Sequence, residues 1–289
     1  MSKHILFFGF GYCAQYMAPL LVAQGWQISA TCRDADKAKR LTDNGITPFM
    51  LDGTPLSPAA LDGVSHIVLS AAPDAQGDPA LPLLHDALAQ NSDAVKWLGY
   101  LSTTGVYGDH AGAWIDEDTP PGPLGERGQR RVAAETAWGK LATAHDLPIH
   151  YFRLAGIYGP GRNQLASLKA GTARRIDKLG QVFSRIHVED IATILLASMA
   201  KPQAGRAYSV CDDEPAPPQD VVAYAATLLG LEPPPMIAFE DADLSPMAKS
   251  FYGENKRIKN SRIKQELGIT LKYPSYREGL RALFEAQDF

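Results

Sequence analysis

The first segment of the chain carries glycines at a spacing that suits phosphate binding. A short apolar stretch, residues 5–8, leads into Gly9-Phe10-Gly11-Tyr12-Cys13-Ala14, a G-x-G-x-x-A pattern. In this pattern the first glycine permits a tight turn, the second lets the backbone approach a pyrophosphate, and the small last residue lets a helix pack close to the strand. The phosphates then lie on the N–H groups at the positive end of the helix dipole. We therefore predict a dinucleotide site at residues 9–13.

The end of the next apolar segment indicates which dinucleotide binds. An acidic residue about 20 positions after the glycines typically holds the ribose 2′-hydroxyl of NAD. Here that position reads Thr31-Cys32-Arg33. Arg33 carries a permanently charged guanidinium group that suits a 2′-phosphate, and Lys37 follows one helical turn later. We predict NADP(H), with NAD kept open by Asp34; the alternative is that both cations merely lie on a solvated helix start.

Short apolar segments that alternate with helix-length stretches must position these residues. They are residues 5–8, 27–32, 47–51, 66–70, 98–102 and 149–153. Strands that are apolar on both faces are typical of a parallel sheet covered by helices on both sides, and the repeated order implies right-handed crossovers. We predict an α/β fold, a Rossmann-type doubly wound parallel sheet over residues 1–210. Part of a substrate lobe is expected around residues 155–185, and a small, mostly helical C-terminal substrate lobe over residues 211–289.

Composition narrows the range of partners. The chain has 289 residues with 28 Lys+Arg and 32 Asp+Glu, a net charge of −4, so no global positive field favours nucleic acid or anionic membranes. The uncharged stretch 5–32 is interrupted by Pro19 and by glycines and glutamines, unlike a signal peptide or membrane span. Three cysteines without a CxxC pair and histidines without metal-ligand spacing predict no metal. We expect a cytoplasmic protein with a small-molecule substrate.

Sequence motifs at later strand ends carry a family resemblance. The segments are Ser70-Ala71-Ala72-Pro73, Leu101-Ser102-Thr103-Thr104-Gly105-Val106-Tyr107-Gly108, Arg153-Leu154-Ala155-Gly156-Ile157-Tyr158-Gly159-Pro160-Gly161-Arg162 and Arg185-Ile186-His187-Val188-Glu189-Asp190-Ile191. Together with the glycine turn they resemble the extended short-chain dehydrogenase/reductases, the NAD(P)-dependent epimerase/dehydratase family, over roughly residues 4–200. Ligands of such sheets lie at the carboxyl ends of the strands, where all these segments fall.

The resemblance implies roles for individual residues. Asp52 would lie near the adenine, and Ala71, Ala72 and Pro73 beside the riboses of the cofactor. Ser102 and Thr103 would lie near the nicotinamide, and Thr103 would hydrogen-bond the reacting oxygen of the substrate. Thr104 is the candidate if the register shifts by one residue. The alternative for both threonines is capping of buried backbone groups at the strand end.

The helix that follows departs from the family pattern Y-x-x-x-K. Alignment on Ala133-Ala134-Glu135 puts Arg127 at the tyrosine position and Arg131 at the lysine position. Arg131 could still bind the ribose, but a guanidinium with a pKa above about 12 is a poor proton donor at neutral pH. Substitute acids are Tyr107, Tyr158 or the acidic residues 116–118, although we expect the tyrosines to be structural and the acidic residues to form a solvated loop. A literal Y-x-x-x-K at residues 252–256 is interpreted as coincidence.

Further expectations concern two polar residues near residue 190, four arginines and the oligomeric state. His187 and Asp190 are interpreted as structural, with Asp190 capping a helix. Arginines suited to an anionic ligand occur at positions 162, 174, 175 and 185, and the alternative is that they are scattered over the surface. Related enzymes often dimerise through two helices beside the sheet, which here would be residues 80–95 and 127–145, so a homodimer is expected.

Two functions follow. The first is an NADP(H)-binding oxidoreductase or epimerase/dehydratase-like enzyme that acts on a carbonyl or hydroxyl of a small substrate, with an anionic or sugar-nucleotide-like molecule as the leading class. The alternative is a catalytically atypical NADP(H)-binding sensor or scaffold, since the usual tyrosine and lysine are replaced.

Overall fold

The computed structural model describes residues 3–289. Its strands are β1 His4–Phe8, β2 Gln27–Cys32, β3 Thr47–Met50, β4 His66–Leu69, β5 Trp97–Thr103, β6 Trp114–Ile115, β7 Ile149–Leu154, β8 Gly156–Tyr158, β9 Arg175–Asp177, β10 Arg185–His187, β11 Ala207–Val210, β12 Met236–Ala238 and β13 Arg257–Ile258. Its α-helices are α1 Tyr12–Ala23, α2 Ala35–Asp43, α3 Ala80–Asn91, α4 Glu126–Ala144, α5 Gln164–Lys169, α6 Val188–Ala200, α7 Pro218–Leu228, α8 Pro246–Tyr252, α9 Ser261–Leu267 and α10 Tyr276–Ala286.

A seven-stranded sheet runs in the order β11-β7-β5-β4-β1-β2-β3. The pairs β1–β2, β1–β4, β2–β3 and β4–β5 are parallel. The chain builds outward from β1 to β3, then returns to the other side of β1 with β4, which makes the β1/β4 boundary the point where strand order reverses. The predicted doubly wound α/β fold is therefore confirmed, and ligands of such sheets bind outside the carboxyl ends of the strands at this point.

The sheet is held by a core of apolar residues on both faces. In β1, Ile5, Leu6 and Phe7 are fully buried, which accounts for the absence of polar alternation in the sequence. On one face Leu6 and Phe8 join a cluster with Leu84 of α3 and Trp138 of α4. Burial of each such side chain contributes about 1.5 to 3 kcal/mol, so this cluster fixes the strand ends that carry the candidate site.

The helices beside β1 and β2 begin differently. Gly11 is the N-cap of α1 and has no side chain to cap it, whereas Asp34 caps α2 by accepting a hydrogen bond from the Lys37 N–H (2.7 Å). Pro19 lies within α1, where it supplies no N–H to the helix. The amino end of α1 is thus left to backbone N–H groups, while that of α2 is closed by a carboxylate.

The chain forms two compact units. Unit 1 contains the segments up to Thr103, Glu126–Arg153 and Ala192–Tyr208, and holds most of the seven-stranded sheet. Unit 2 contains Thr104–Gly125, Leu154–Ile191 and Ser209–Phe289, with the two-stranded sheets β10-β8, β12-β9 and β13-β6.

Within residues 3–289, no helix combines the length and the apolar character needed to cross a membrane.

Candidate functional site

The turn after β1 is built on Gly9, whose φ is +87°. A residue with a Cβ is strained in this left-handed region. The Gly9 N–H donates to Thr31 Oγ1 in β2 (2.8 Å), and the Gly9 carbonyl accepts from Ser70 Oγ, just after β4 (2.8 Å). A Cβ at Gly9 would lie 2.9 Å from Ser70 Oγ. The turn is therefore fixed from both neighbouring strands, at the point where strand order reverses.

Gly11 leaves the start of α1 open. Its φ is −102°, which any residue can adopt, and a Cβ built on it would meet no protein atom within 4 Å. The conformation does not require glycine here, so the open space above the helix start is what its missing side chain provides. Phe10 packs edge-on against Phe7 (5.6 Å between ring centroids), and Tyr12 and Cys13 form the first turn of the helix. These residues fit a pyrophosphate that approaches the backbone at a helix N-terminus.

Arg33 and Lys37 lie at the carboxyl end of β2 and the start of α2. The Arg33 side chain is exposed, and Lys37 is partly exposed one turn into the helix. One carboxylate oxygen of Asp34 is occupied by the Lys37 N–H, so the acidic residue nearest the strand end acts as a helix cap. The two cations therefore remain the available groups for a phosphate at this strand end.

Asp52 follows β3 and is exposed. Its Oδ1 accepts hydrogen bonds from the Thr54 hydroxyl (2.6 Å) and the Thr54 N–H (2.9 Å). These bonds lower the pKa of Asp52 and keep it ionised, and the bond from the Thr54 hydroxyl has the larger effect. Ala71, Ala72 and Pro73 form an irregular segment after β4, next to Ser70. The adenine and ribose roles of these four residues remain predictions.

At the carboxyl end of β5, the hydroxyl of Ser102 is held by a helix residue. Ser102 is buried and donates to Glu135 Oε1 in α4 (2.5 Å), while Glu135 Oε2 accepts from Arg153 Nη2 in β7 (2.9 Å). The side chains of Arg153 and Glu135 are only 9% and 10% exposed. Thr103 is the last residue of β5 and is half-buried, and Thr104 begins the 3-10 helix Thr104–Tyr107 of unit 2.

The contacts of Glu135 were not predicted from the sequence, in which this residue served only to align the helix. Its position one turn after Arg131 and two turns after Arg127 was the available signal, because residues at such spacing lie on one helix face.

Arg131 occupies the lysine position but makes its own contacts. Its Nη1 donates to the Tyr100 hydroxyl (3.0 Å) and to the Leu101 carbonyl (3.0 Å), and its guanidinium lies 5.4 Å from the centre of the Tyr100 ring. Burial raises the pKa of Tyr100, which Arg131 opposes. One turn earlier, Arg127 is exposed. The helix therefore presents two guanidinium groups where the family pattern has a phenol and an ammonium.

Tyr107 and Tyr158, named above as substitute acids, are engaged within unit 2. The Tyr107 hydroxyl is 3.1 Å from Ser209 Oγ, and the Tyr158 hydroxyl donates to the Ser275 carbonyl (3.3 Å). Burial raises the pKa of Tyr158. These contacts agree with structural roles.

The prediction of a solvated acidic loop is wrong for Glu117. Its side chain is buried and its Oε1 accepts from the Ser209 N–H (2.7 Å), since the loop follows β6 and supplies an acceptor to the edge of β11. Burial raises the pKa of Glu117.

The prediction that Asp190 caps a helix is also wrong. This buried carboxylate accepts from the N–H groups of Lys272 (2.7 Å) and Tyr273 (3.0 Å) instead of those of its own helix.

The literal Y-x-x-x-K of residues 252–256 lies in unit 2. Lys256 Nζ donates to the Gly108 carbonyl (2.7 Å) and to Glu254 (2.5 Å). Tyr252 is buried with its ring against Phe183 and Phe239. Lys256 thus holds the backbone of a loop, and the Y-x-x-x-K spacing does not make a catalytic pair.

Fold and glycine turn together define a Rossmann-type α/β protein. A sequence model of the NAD dependent epimerase/dehydratase family matches residues 9–211. Protein YeeZ of Escherichia coli K12 is 31% identical over 293 aligned positions, which cover 94% of this chain and 97% of YeeZ. The chain belongs to the NAD-dependent epimerase/dehydratase family.

Solved structures agree with this membership. The chain is similar to a functionally unknown conserved protein from Silicibacter pomeroyi, with 53% identity, a TM-score of 0.91, and coverage of 99% of this chain and 100% of that one. It also shares its fold with UDP-glucuronic acid 4-epimerase from Bacillus cereus, solved with UDP-glucuronic acid and NAD, at 17% identity, a TM-score of 0.74, and 98% coverage of each chain. The family model and the similarity to YeeZ confirm the family resemblance seen in the sequence.

Over the part of the chain that the structure describes, no group of three or more His, Cys, Asp or Glu side chains is arranged to hold a metal ion.

Proposed function

We propose that the protein is an NADP(H)-binding oxidoreductase or epimerase-like enzyme that acts on a carbonyl or hydroxyl group of a small molecule. The observation that carries this proposal is the glycine turn. Gly9 is held in a left-handed conformation between β2 and β4, and Gly11 keeps the start of α1 open. A backbone cradle of this kind suits a pyrophosphate and has no evident structural need for Gly11.

The preference for NADP(H) rests on the end of β2. A 2′-phosphate carries negative charge and accepts paired hydrogen bonds, which a guanidinium supplies well. Arg33 is exposed at this position, and the carboxylate of Asp34 is already used to cap α2. Bound NADP(H) would supply or accept the hydride, while Gly9, Gly11, Arg33 and Lys37 would hold the nucleotide.

The substrate side of the proposal rests on Thr103. Ser102 donates its hydroxyl to Glu135, so Thr103 at the end of β5, with Thr104 after it, is the hydroxyl we assign to the reacting oxygen of the substrate. Arg131 would contact the nicotinamide ribose through the guanidinium nitrogens that do not bind Tyr100 and Leu101.

A sensor or scaffold remains the second candidate because of a specific observation. Arg127 is exposed and Arg131 is bonded to Leu101 of β5, so α4 supplies neither the phenol nor the ammonium of the family pattern at these positions. Such a protein would bind NADP(H) without turnover.

A fluorescence titration with NADPH and NADH tests the cofactor proposal. We expect wild-type protein to bind NADPH more tightly, and Arg33→Ala to weaken NADPH binding about tenfold or more while changing NADH binding little. Lys39→Ala removes one exposed charge from α2 and is the matched control. Equal affinities for the two nucleotides, or equal effects of the two variants, would remove Arg33 from the site.

Turnover separates the enzyme from the sensor. NADPH oxidation with a panel of aldehydes, ketones and sugar nucleotides should be measurable and should fall about a hundredfold in Thr103→Val. Tight NADPH binding with no turnover above that variant would favour the sensor.

A further inference from the structure

Arg185 is a half-buried cation whose side chain is held by backbone groups. It lies in β10, and its Nη1 donates to the carbonyls of Phe183 (2.8 Å) and Ala216 (3.1 Å). These two residues also form a backbone bridge with each other. The guanidinium is therefore held in one orientation within unit 2 by neutral acceptors.

The charge of Arg185 is not matched by an ion pair. Among residues 3–289, its described hydrogen bonds go to these two carbonyls and not to a carboxylate. The acidic side chain that acts most strongly on Arg185 is Asp212, which is 1% exposed. Burial raises the pKa of Asp212 well above its ordinary value, and the charge of Arg185 opposes this rise. A half-buried guanidinium that is oriented by neutral acceptors keeps further N–H donors for an anionic ligand, and such groups are typical of binding sites.

Three aromatic side chains, Phe183, Tyr252 and Phe239, form a cluster near this guanidinium. Tyr252 packs edge-on against Phe183 (5.3 Å between ring centroids) and lies 5.1 Å from the ring of Phe239. The carbonyl of Phe183 accepts from Arg185, which places the guanidinium at the edge of this ring cluster. Burial raises the pKa of Tyr252, and the charge of Arg185 opposes this rise. The apolar residues Ile237 and Leu244 are only partly buried around the same cluster. One fixed cation and one phenol thus border a surface of aromatic and aliphatic side chains.

We propose that Arg185 and Tyr252 bind the carboxylate of a small molecule whose body is aromatic or otherwise apolar. The guanidinium donates paired hydrogen bonds to carboxylate oxygens, and the phenol adds a further donor. The rings of Phe183, Tyr252 and Phe239 suit an apolar body, whereas the several hydroxyls of a sugar would be left without partners there. This inference rests on the proposed function and narrows its substrate to the organic acids.

Isothermal titration with cinnamate and with its neutral analogue cinnamamide tests the proposal. We expect wild-type protein to bind cinnamate at least about tenfold more tightly than cinnamamide. Arg185→Met should abolish that difference, and Tyr252→Phe should reduce it severalfold. Arg281→Met and Tyr224→Phe, which change exposed or half-buried residues of the same unit, are the matched controls and should bind cinnamate as the wild type does.

Two further arms keep the result decisive. If Arg185→Met fails to fold because two carbonyls lose their donor, Arg185→Lys retains the charge and a donor, and it should weaken cinnamate binding because the paired geometry is lost. Inorganic phosphate at equal concentration should compete poorly. Equal binding of acid and amide, unchanged binding in both Arg185→Lys and Tyr252→Phe, or phosphate binding as tight as cinnamate would each overturn the proposal. NADPH titration of the same variants distinguishes these failures from failure of the cofactor site, which lies in unit 1.

Discussion

The glycine turn and helix α4 both contact the seven-stranded sheet, but the turn keeps the family pattern and α4 departs from it. At the turn, Gly9 has the left-handed φ that the pattern implies, and Gly11 leaves the helix start open. In α4, arginines stand at both positions where tyrosine and lysine are usual, and one of them is bonded to Tyr100. The glycine turn therefore presents backbone groups, whereas α4 presents side chains.

This difference shows why binding and catalysis can change separately. A backbone cradle depends on the absence of side chains and on hydrogen bonds to neighbouring strands, so substitutions elsewhere leave it intact. Proton transfer depends on the pKa of one side chain, so a single substitution removes it. The Glu135–Arg153 pair explains how α4 keeps its place although Arg127 and Arg131 differ from the pattern.

The largest expected effect tests this supporting role of α4. Glu135→Ala leaves Arg153 buried without its partner, and loss of one member of a buried ion pair costs about 3 to 5 kcal/mol. Urea denaturation measures the free energy of unfolding. The control is Glu126→Ala, which removes an exposed ion pair with Arg130 on the same helix and should cost about 0.5 kcal/mol. Equal losses in the two variants would show that Glu135 does not anchor the helix.

Acid should destabilise the sheet at the start of β5 before it affects the glycine turn. At the start of β5, Trp97 stacks on His66 and His150, and burial lowers the pKa of both histidines to about 4. The neutral forms stabilise the fold fully above the unfolded pKa of 6.5, and this stability is lost as the pH falls from 6.5 towards 4. For His150, which is fully buried, the loss is about 2 to 3 kcal/mol.

Urea denaturation between pH 4 and pH 7.5 provides the measurement. His150→Gln keeps an acceptor for the Gln203 N–H, which His150 Nε2 binds at 2.8 Å, and should flatten the pH dependence. Hydrogen exchange should show β5 opening in acid before the glycine turn, whose contacts are neutral. A variant with the wild-type pH profile would contradict the role of His150.

Two glycine substitutions should separate folding from binding at the turn. Gly9→Ala forces a Cβ into a left-handed conformation at a cost of about 1 to 2 kcal/mol, and it should also weaken NADPH binding. Gly11→Ala should fold within about 0.5 kcal/mol of the wild type and still weaken NADPH binding, because its Cβ enters the open space above α1. Thermal unfolding and NADPH titration of both variants decide this. Wild-type binding by Gly11→Ala would show that the pyrophosphate lies elsewhere.

The smallest expected effect concerns Arg131. Arg131→Ala removes hydrogen bonds to Tyr100 and Leu101, which should lower the free energy of unfolding by about 1 kcal/mol and weaken NADPH binding modestly. Arg127→Ala, at an exposed position, should change stability by less than about 0.5 kcal/mol. A larger loss in Arg127→Ala than in Arg131→Ala would reverse our assignment of the two arginines.

The fold was predictable because its signals are local. Each strand of the sheet predicted from the sequence lies within two residues of its observed bounds, since a run of apolar residues between turn signals marks a buried strand. The turn at Gly9 was predictable for the same reason, because the spacing of its glycines has a direct backbone cause.

The side-chain networks were not predictable because their members are distant in sequence. Glu135 meets Arg153 and Ser102 only once α4 packs beside β5 and β7. Glu117 looked like part of a solvated acidic loop, and its contact with the Ser209 N–H depends on a segment more than ninety residues later. Arg185 and Tyr252 likewise come from different parts of unit 2, so no local spacing relates them.

The interleaving of the two units has a consequence for synthesis on the ribosome. The chain passes from one unit to the other five times, and unit 1 receives its last segment only at Ala192–Tyr208. Its first 103 residues therefore emerge long before β7 and β11 can complete the sheet, which leaves the edge of β5 unpaired in the nascent chain. Exposed strand edges favour aggregation, so this protein should depend on chaperone protection during translation and should tolerate C-terminal truncation poorly.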